Sequence, residues 1–129
     1  MIETRLTERF GLTHPIMSAP MAMAAGGRLA AAVTRAGGMG IIGGGYGDPD
    51  WVAREMDAAG NAVVGCGFIT WKLRENPALL TRVLSRKPSA LFLSFGDPAP
   101  FAEEIHAAGV PLICQVQTLR DARRAAEVG

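Results

Sequence analysis

The sequence carries almost no net charge: 13 Lys and Arg against 12 Asp and Glu leave a formal +1. It therefore offers no basic footprint to nucleic acid or to an anionic membrane surface. Cysteine is scarce, and Cys66 and Cys114 each sit inside an apolar segment. Their spacing suits no zinc motif and gives no disulfide framework, so both are expected as small buried hydrophobes in a reducing compartment. The start, Met1-Ile2-Glu3-Thr4-Arg5, lacks the charged and apolar regions of a secretory signal. No apolar run approaches the roughly 18 residues of a membrane span. Acid pairs, metal-ligand clusters and a nucleophile elbow are also missing. The two histidines, His14 and His106, have no acid, cysteine or serine arranged near them as a catalytic set, and both are expected to be structural or surface residues. A cytoplasmic protein without a metal is the expectation.

The chain has ample apolar content for a core. With 129 residues, 49% hydrophobic and 19% charged, it fits one globular domain over residues 1–129. A mean hydropathy of +0.19 argues against disorder.

A repeated grammar organises it: short apolar run, turn, helix pattern, glycine, next apolar run. Strands are predicted over Ile16–Ala19, Met39–Ile42, Ala62–Ile69, Ala90–Phe95 and Val110–Val116. All are short and apolar on both parities, as expected of parallel strands covered on both faces. Leu29, Ala32, Val33 and Ala36 form the stripe of a first helix closed by Gly37. Asp48-Pro49 opens a second helix bearing Val52, Met56 and Ala59, closed by Gly60. Asn76-Pro77 opens a third with Leu80, Val83 and Leu84, and Asp97-Pro98 a fourth with Phe101, Ile105 and Ala108 before Gly109. Thr118-x-x-Asp121 resembles a capping box for a fifth, its inward residues Ala122, Ala125 and Ala126. This βα alternation implies an α/β fold with a parallel sheet. The pattern Glu127-Val128-Gly129 repeats the ending that elsewhere precedes a strand, so a sixth strand is expected to follow. Periodicity alone leaves two architectures open: a flavodoxin-type doubly wound sheet, or five units of a TIM (β/α)₈ barrel.

Several segments carry chemical hints. Gly38-Met39-Gly40-Ile41-Ile42-Gly43 matches the dinucleotide fingerprint in letters, but its glycines lie before and within a strand rather than opening a helix. Gly43-Gly44-Gly45-Tyr46-Gly47 is either a place where backbone approaches a ligand or a flexible connector. Met17-Ser18-Ala19-Pro20-Met21 ends the first strand and enters a small-residue loop, leaving room above a barrel mouth. Gly65 and Gly67 empty one face of the third strand, for a planar ligand or for tight packing. Gln115, polar within an apolar strand, needs a hydrogen-bond partner if buried, and Ser94 poses the same question more weakly.

Pro15-Ile16-Met17-Ser18-Ala19-Pro20-Met21, then Ala36-Gly37-Gly38-Met39-Gly40 with the glycine run, resemble the opening of nitronate monooxygenases, formerly called 2-nitropropane dioxygenases. Ser94-Phe95-Gly96 and Gln115-Val116-Gln117-Thr118 continue the resemblance, which runs in order over essentially the whole chain. The related flavin-dependent enoyl reductases share much of this opening. The resemblance implies the N-terminal portion of an FMN-binding TIM barrel that oxidises alkyl nitronates with molecular oxygen. It implies that Ala19, Pro20 and Met21 lie against the flavin ring and that the Gln115 side chain reaches it. Gly67 falls where many members carry a flavin-contacting asparagine, a departure in this chain. The family's catalytic histidine and its phosphate loops would lie beyond Gly129, so no catalytic residue is assigned here. The 129-residue chain alone is expected to be inactive, to hold FMN weakly, and to self-associate through open sheet edges. The competing expectations are an NAD(P)H-dependent flavin reductase of the same barrel type and a non-catalytic βα protein that pairs with another chain.

Overall fold

A computed structural model describes residues 2–129. Four parallel strands, β1 (Ile41–Gly45), β2 (Gly65–Ile69), β3 (Leu91–Ser94) and β4 (Leu112–Cys114), pair in sequential order β1-β2-β3-β4. The first predicted strand survives as a single parallel bridge, Met17 to Met39, sealed by Ser18 N–H to Met39 O and Met39 N–H to Ile16 O, both 2.9 Å. Pro15 and Pro20 flank this segment and supply no backbone donor, which keeps it short. The strand order therefore runs sequentially from Met17 to β4. A flavodoxin-type sheet, with its reversal of order, is excluded. The chain has the α/β fold of a sector of a TIM barrel.

The helices are α1 (Arg5–Phe10), α2 (Gly27–Arg35), α3 (Pro49–Ala58), α4 (Thr70–Leu73), α5 (Ala78–Leu84), α6 (Ala99–Ala107) and α7 (Leu119–Val128). On one face of the sheet, Ile42, Cys66, Phe68, Leu91 and Leu93 pack against Val52, Met56, Leu80, Val83 and Ile105 from the helices. The opposite face carries Met39, Ile41 and Ala90, with Met17, Phe92, Ile113, Phe10 at the end of α1 and Leu12 just after it beside them. This second face is the inner wall of the barrel sector.

The helix ends follow from local chemistry. Asp48 Oδ1 accepts from the amides of Asp50 and Trp51 at 2.9 and 3.0 Å, with Pro49 as the first helical residue. Thr118 Oγ1 accepts from Asp121 N–H at 3.1 Å. Asp97 Oδ1 accepts from Ala99 N–H at 3.1 Å, so α6 begins just after the predicted Asp97-Pro98. Gly37, Gly60 and Gly109 all take positive φ behind their helices, as a closing residue requires. Two elements escaped the sequence reading. Helix α1 is started by a capping box of Thr4 and Thr7 rather than the commoner acidic form, and α4 is a single turn straight after β2.

The predicted stripe of α2 is on the wrong face. Leu29 is 45% exposed, and Ala32 and Ala36 are exposed, while Gly27, Ala30 and Ala31 are buried. The reason is closeness. A Cβ on Gly27 would lie 1.7 Å from Glu55 O, and one on Gly40 would lie 1.8 Å from Ala30 O. Only the smallest residues let α2 settle onto α3 and the lead into β1, so size was selected against where a hydrophobic stripe was expected. Similar but smaller departures occur at Ala108 and Ala126, which are exposed although predicted to face inward.

Because Gly40 faces backbone rather than a side chain that could swing away, Gly40→Ala is expected to cost about 1–3 kcal/mol by overpacking. Urea unfolding checks this: the midpoint should fall by the corresponding amount at unchanged slope.

Candidate functional site

The C-terminal ends of the strands converge on a cavity of about 520 Å³. Its floor and walls come from the segment Met17–Ala22, Gly45 at the end of β1, the end of β2, and Phe92, Ser94, Phe95 and Gln115 around the ends of β3 and β4. Barrel active sites are built at this end. Ala19, Pro20, Met21 and Gln115, singled out from sequence, all line it.

Gly67 does not line the cavity. A Cβ there would lie 2.4 Å from Pro20 Cβ and 2.8 Å from Pro20 Cγ. The face that Gly65 and Gly67 leave empty is filled at Gly67 by the Pro20 ring, so the packing reading holds there and no room for a planar ligand remains. Gly67 reaches the site only by seating Pro20.

The glycine run is likewise occupied by the chain itself. Gly43–Gly45 are buried strand residues, not a connector. A Cβ on Gly43 would meet Met21 O at 2.1 Å, and one on Gly45 would meet Ala22 Cβ at 2.5 Å. The backbone that these glycines admit is that of the Ala19–Ala22 loop. The pairing register with β2 shifts between Gly43 and Gly45, and Trp51 Nε1 donates to Gly43 O at 3.1 Å beside that irregularity.

Gln115 is exposed rather than buried, so its amide has water available and is free to turn to a ligand. Its backbone N–H donates to Leu93 O at 2.9 Å, which fixes where the side chain emerges. Ser94 is buried, and its hydroxyl donates to Phe68 O at 3.2 Å, so the protein satisfies it. Ser18 Oγ accepts from Ile41 N–H at 2.9 Å and ties the loop's root to β1.

Sequence reasoning missed Phe92 and Phe95. Phe92 shares the parity of Ser94, a signal that was present. Phe95 breaks that parity: it takes φ +56 and stays 54% exposed at the cavity wall. An aromatic in the left-handed region is strained, and nothing in its residue type announces the geometry.

Among the described residues no ionisable side chain lines this cavity. His14 lies on the far side, where its N–H donates to Gly37 O at 2.9 Å ahead of β1. His106 is exposed and its Nε2 lies 2.9 Å from Val128 O. Among the described residues no group of His, Cys, Asp or Glu could hold a metal ion. A larger groove of about 850 Å³ adjoins along β4 and α7 and shares Gln115. Across it Arg124 pairs with Asp97 at 3.1 Å and holds that carboxyl below its ordinary range. Both partners are exposed, so this is a weak clip between the β3–α6 turn and α7. Cys66, between Gly65 and Gly67, belongs to the helix-side core, and burial pushes its thiol up to about 12. It is no nucleophile.

The parallel sector with a cavity at its strand ends defines a protein of the TIM-barrel class. The chain belongs to the nitronate monooxygenase family, whose model matches residues 3–67. No curated protein matches the chain. Among solved structures it is similar to FabK from Thermotoga maritima, at 28% identity and a TM-score of 0.88, over 100% of this chain and 42% of that one. A mutant of the same FabK gives 28% and 0.87 over 99% of this chain and 44% of that one. The chain thus spans less than half the length of these neighbours. Among the described residues no helix is long and apolar enough to cross a membrane.

The Cys66 thiol yields a pH dependence whose sign is fixed. Its folded pKa is raised, so its contribution to stability is whole below the ordinary value of 9.0 and is lost as pH rises from there through about 12. Between pH 8 and 10.5 this amounts to about 2 kcal/mol. Urea midpoints at the two pH values, compared between wild type and Cys66→Ala, should show the smaller fall in the variant.

Proposed function

We propose that this chain builds the ring-binding half of an FMN-dependent oxidoreductase. The observation that carries the reading is the cavity at the strand ends, where Ala19, Pro20, Met21 and Gln115 meet. Its chemistry fits an isoalloxazine. Small residues allow a flat ligand to approach, Met21, Phe92 and Phe95 give apolar surface, and one amide side chain can hydrogen-bond a polar ring edge. Its volume lies within the usual range of ligand sites. Bound FMN would supply a two-electron acceptor. The chain's own residues orient and desolvate it: Pro20, seated on Gly67, sets the height of the loop, and Gln115 offers hydrogen bonds from the opposite wall.

Membership in the nitronate monooxygenase family favours an alkyl nitronate as substrate and molecular oxygen as the final oxidant. An NAD(P)H-dependent flavin reductase of the same barrel type is the second reading, because the likeness to FabK extends over the whole chain whereas the family match covers residues 3–67. On either reading the catalytic base comes from another part of such a barrel.

Flavin fluorescence titration of the chain tests the core of the proposal. Weak but saturable quenching of FMN is expected, with Gln115→Leu reducing affinity by about 1 kcal/mol for a lost hydrogen bond. Absence of saturable binding would overturn it. Grafting residues 1–129 in place of the matched part of the Thermotoga maritima protein then separates the two substrates. Oxygen uptake driven by an alkyl nitronate without NAD(P)H supports the first reading, and NAD(P)H oxidation supports the second.

A further inference from the structure

We propose that Trp51 and Glu55, on one face of α3, are positioning residues that lock the loop 19–26 into a preset platform for the ligand. The loop has to be held. Met23 within it takes φ +61, a strained conformation for a side chain of its size that persists only where the surroundings impose it. Its internal ties are modest: the amides of Ala24 and Ala25 donate to Met21 O at 3.2 and 2.9 Å. Two of its side chains, Met21 and Met23, are 51% and 69% exposed.

The inner side is anchored by α3. Ala25 is fully buried, and its carbonyl accepts from Gly43 N–H at 2.8 Å. Gly43 is also the residue whose carbonyl accepts from Trp51 Nε1 at 3.1 Å. One turn further along α3, Glu55 Oε2 accepts from Gly27 N–H at 2.8 Å, at the first residue of α2. That helix has no capping side chain of its own, because its N-cap is Gly26. Residues 51 and 55 are four apart and therefore share a helix face. One rigid element thus holds the strand irregularity against which the loop lies and the helix into which it runs. Among the described residues no other side-chain hydrogen bond reaches Gly27 or Gly43, and neither Trp51 nor Glu55 lines the cavity. Their influence on a ligand runs entirely through backbone placement.

The clamp itself stands on these contacts, and its value to FMN rests on the functional reading above. Amide hydrogen exchange on the chain tests the clamp, using Trp51→Phe, which keeps an aromatic ring and loses the donor, Glu55→Ala, and Glu55→Gln, which keeps an acceptor. Exchange at Ala24, Ala25, Gly27 and Gly43 is expected to speed up about fivefold in Trp51→Phe and Glu55→Ala, the change that loss of one ordinary hydrogen bond brings. Amides of β2 and β3 should stay at wild-type rates, and Glu55→Gln should restore the loop. Unchanged loop exchange, or an equal rise throughout the sheet, overturns the clamp. FMN fluorescence titration of the same variants reads the positioning role. Weaker binding in Glu55→Ala that Glu55→Gln restores supports it, and unchanged affinity with a loosened loop overturns it. If no variant and not the wild type binds FMN, the functional reading fails, while the exchange data still decide the clamp.

Discussion

Backbone lies against backbone around β1, and the placement of the site depends on it. Gly27 meets the carbonyl of Glu55, Gly40 meets that of Ala30, and Gly43 meets that of Met21. Each contact is closer than any side chain would permit. Together they draw α2, α3 and the loop 19–26 onto one strand, so that the loop's height above the sheet is set by main-chain dimensions rather than by side-chain rotamers. Interiors packed in this way yield little to strain. The cavity wall that the loop forms is correspondingly stiff, apart from its exposed methionines.

The polar contacts reinforce this arrangement at few points. Ser18 fixes the loop's root to Ile41, Glu55 satisfies the start of α2, and Trp51 meets the carbonyl of Gly43. These bonds are partly buried, where a missing partner would cost more than the bond contributes. The surface ion pairs, by contrast, join exposed side chains such as Arg86 and Asp57 and are screened by solvent. The fold's specificity therefore resides on the β1 side of the sheet, while α7, which has no buried residue, is held mainly by its cap, by Asp97 and by His106.

Most of the architecture was legible in the sequence because its punctuation is explicit. Asp48, Asp97 and Thr118 accept from helix-start amides, and Gly37, Gly60 and Gly109 take the closing conformation. What could not be read was what fills space next to a glycine. From sequence, Gly67 suited a planar ligand as well as tight packing, and the run Gly43–Gly47 a ligand as well as a flexible connector; Pro20 fills the first place, and Met21 and Ala22 lie against Gly43 and Gly45. The same blindness put the buried face of α2 at Leu29 instead of Gly27 and Ala30, since periodicity counts apolar bulk and the interface required its absence. Four of the five anticipated site residues, Ala19, Pro20, Met21 and Gln115, nevertheless meet at one cavity, because strand ends are fixed by the βα alternation. Phe95 stayed hidden for a conformational reason: a left-handed aromatic at a strand end has no sequence signature.

The uncharged lining of the cavity has a consequence for how such a site diversifies. On the proposed function, fit and proton transfer fall to different stretches of a barrel, and changes at Met21, Phe92 or Phe95 would alter the shapes admitted without retuning an acid or a base. Substrate range and catalytic chemistry can then drift separately, and two relatives could share this half of the pocket almost atom for atom while performing different reactions.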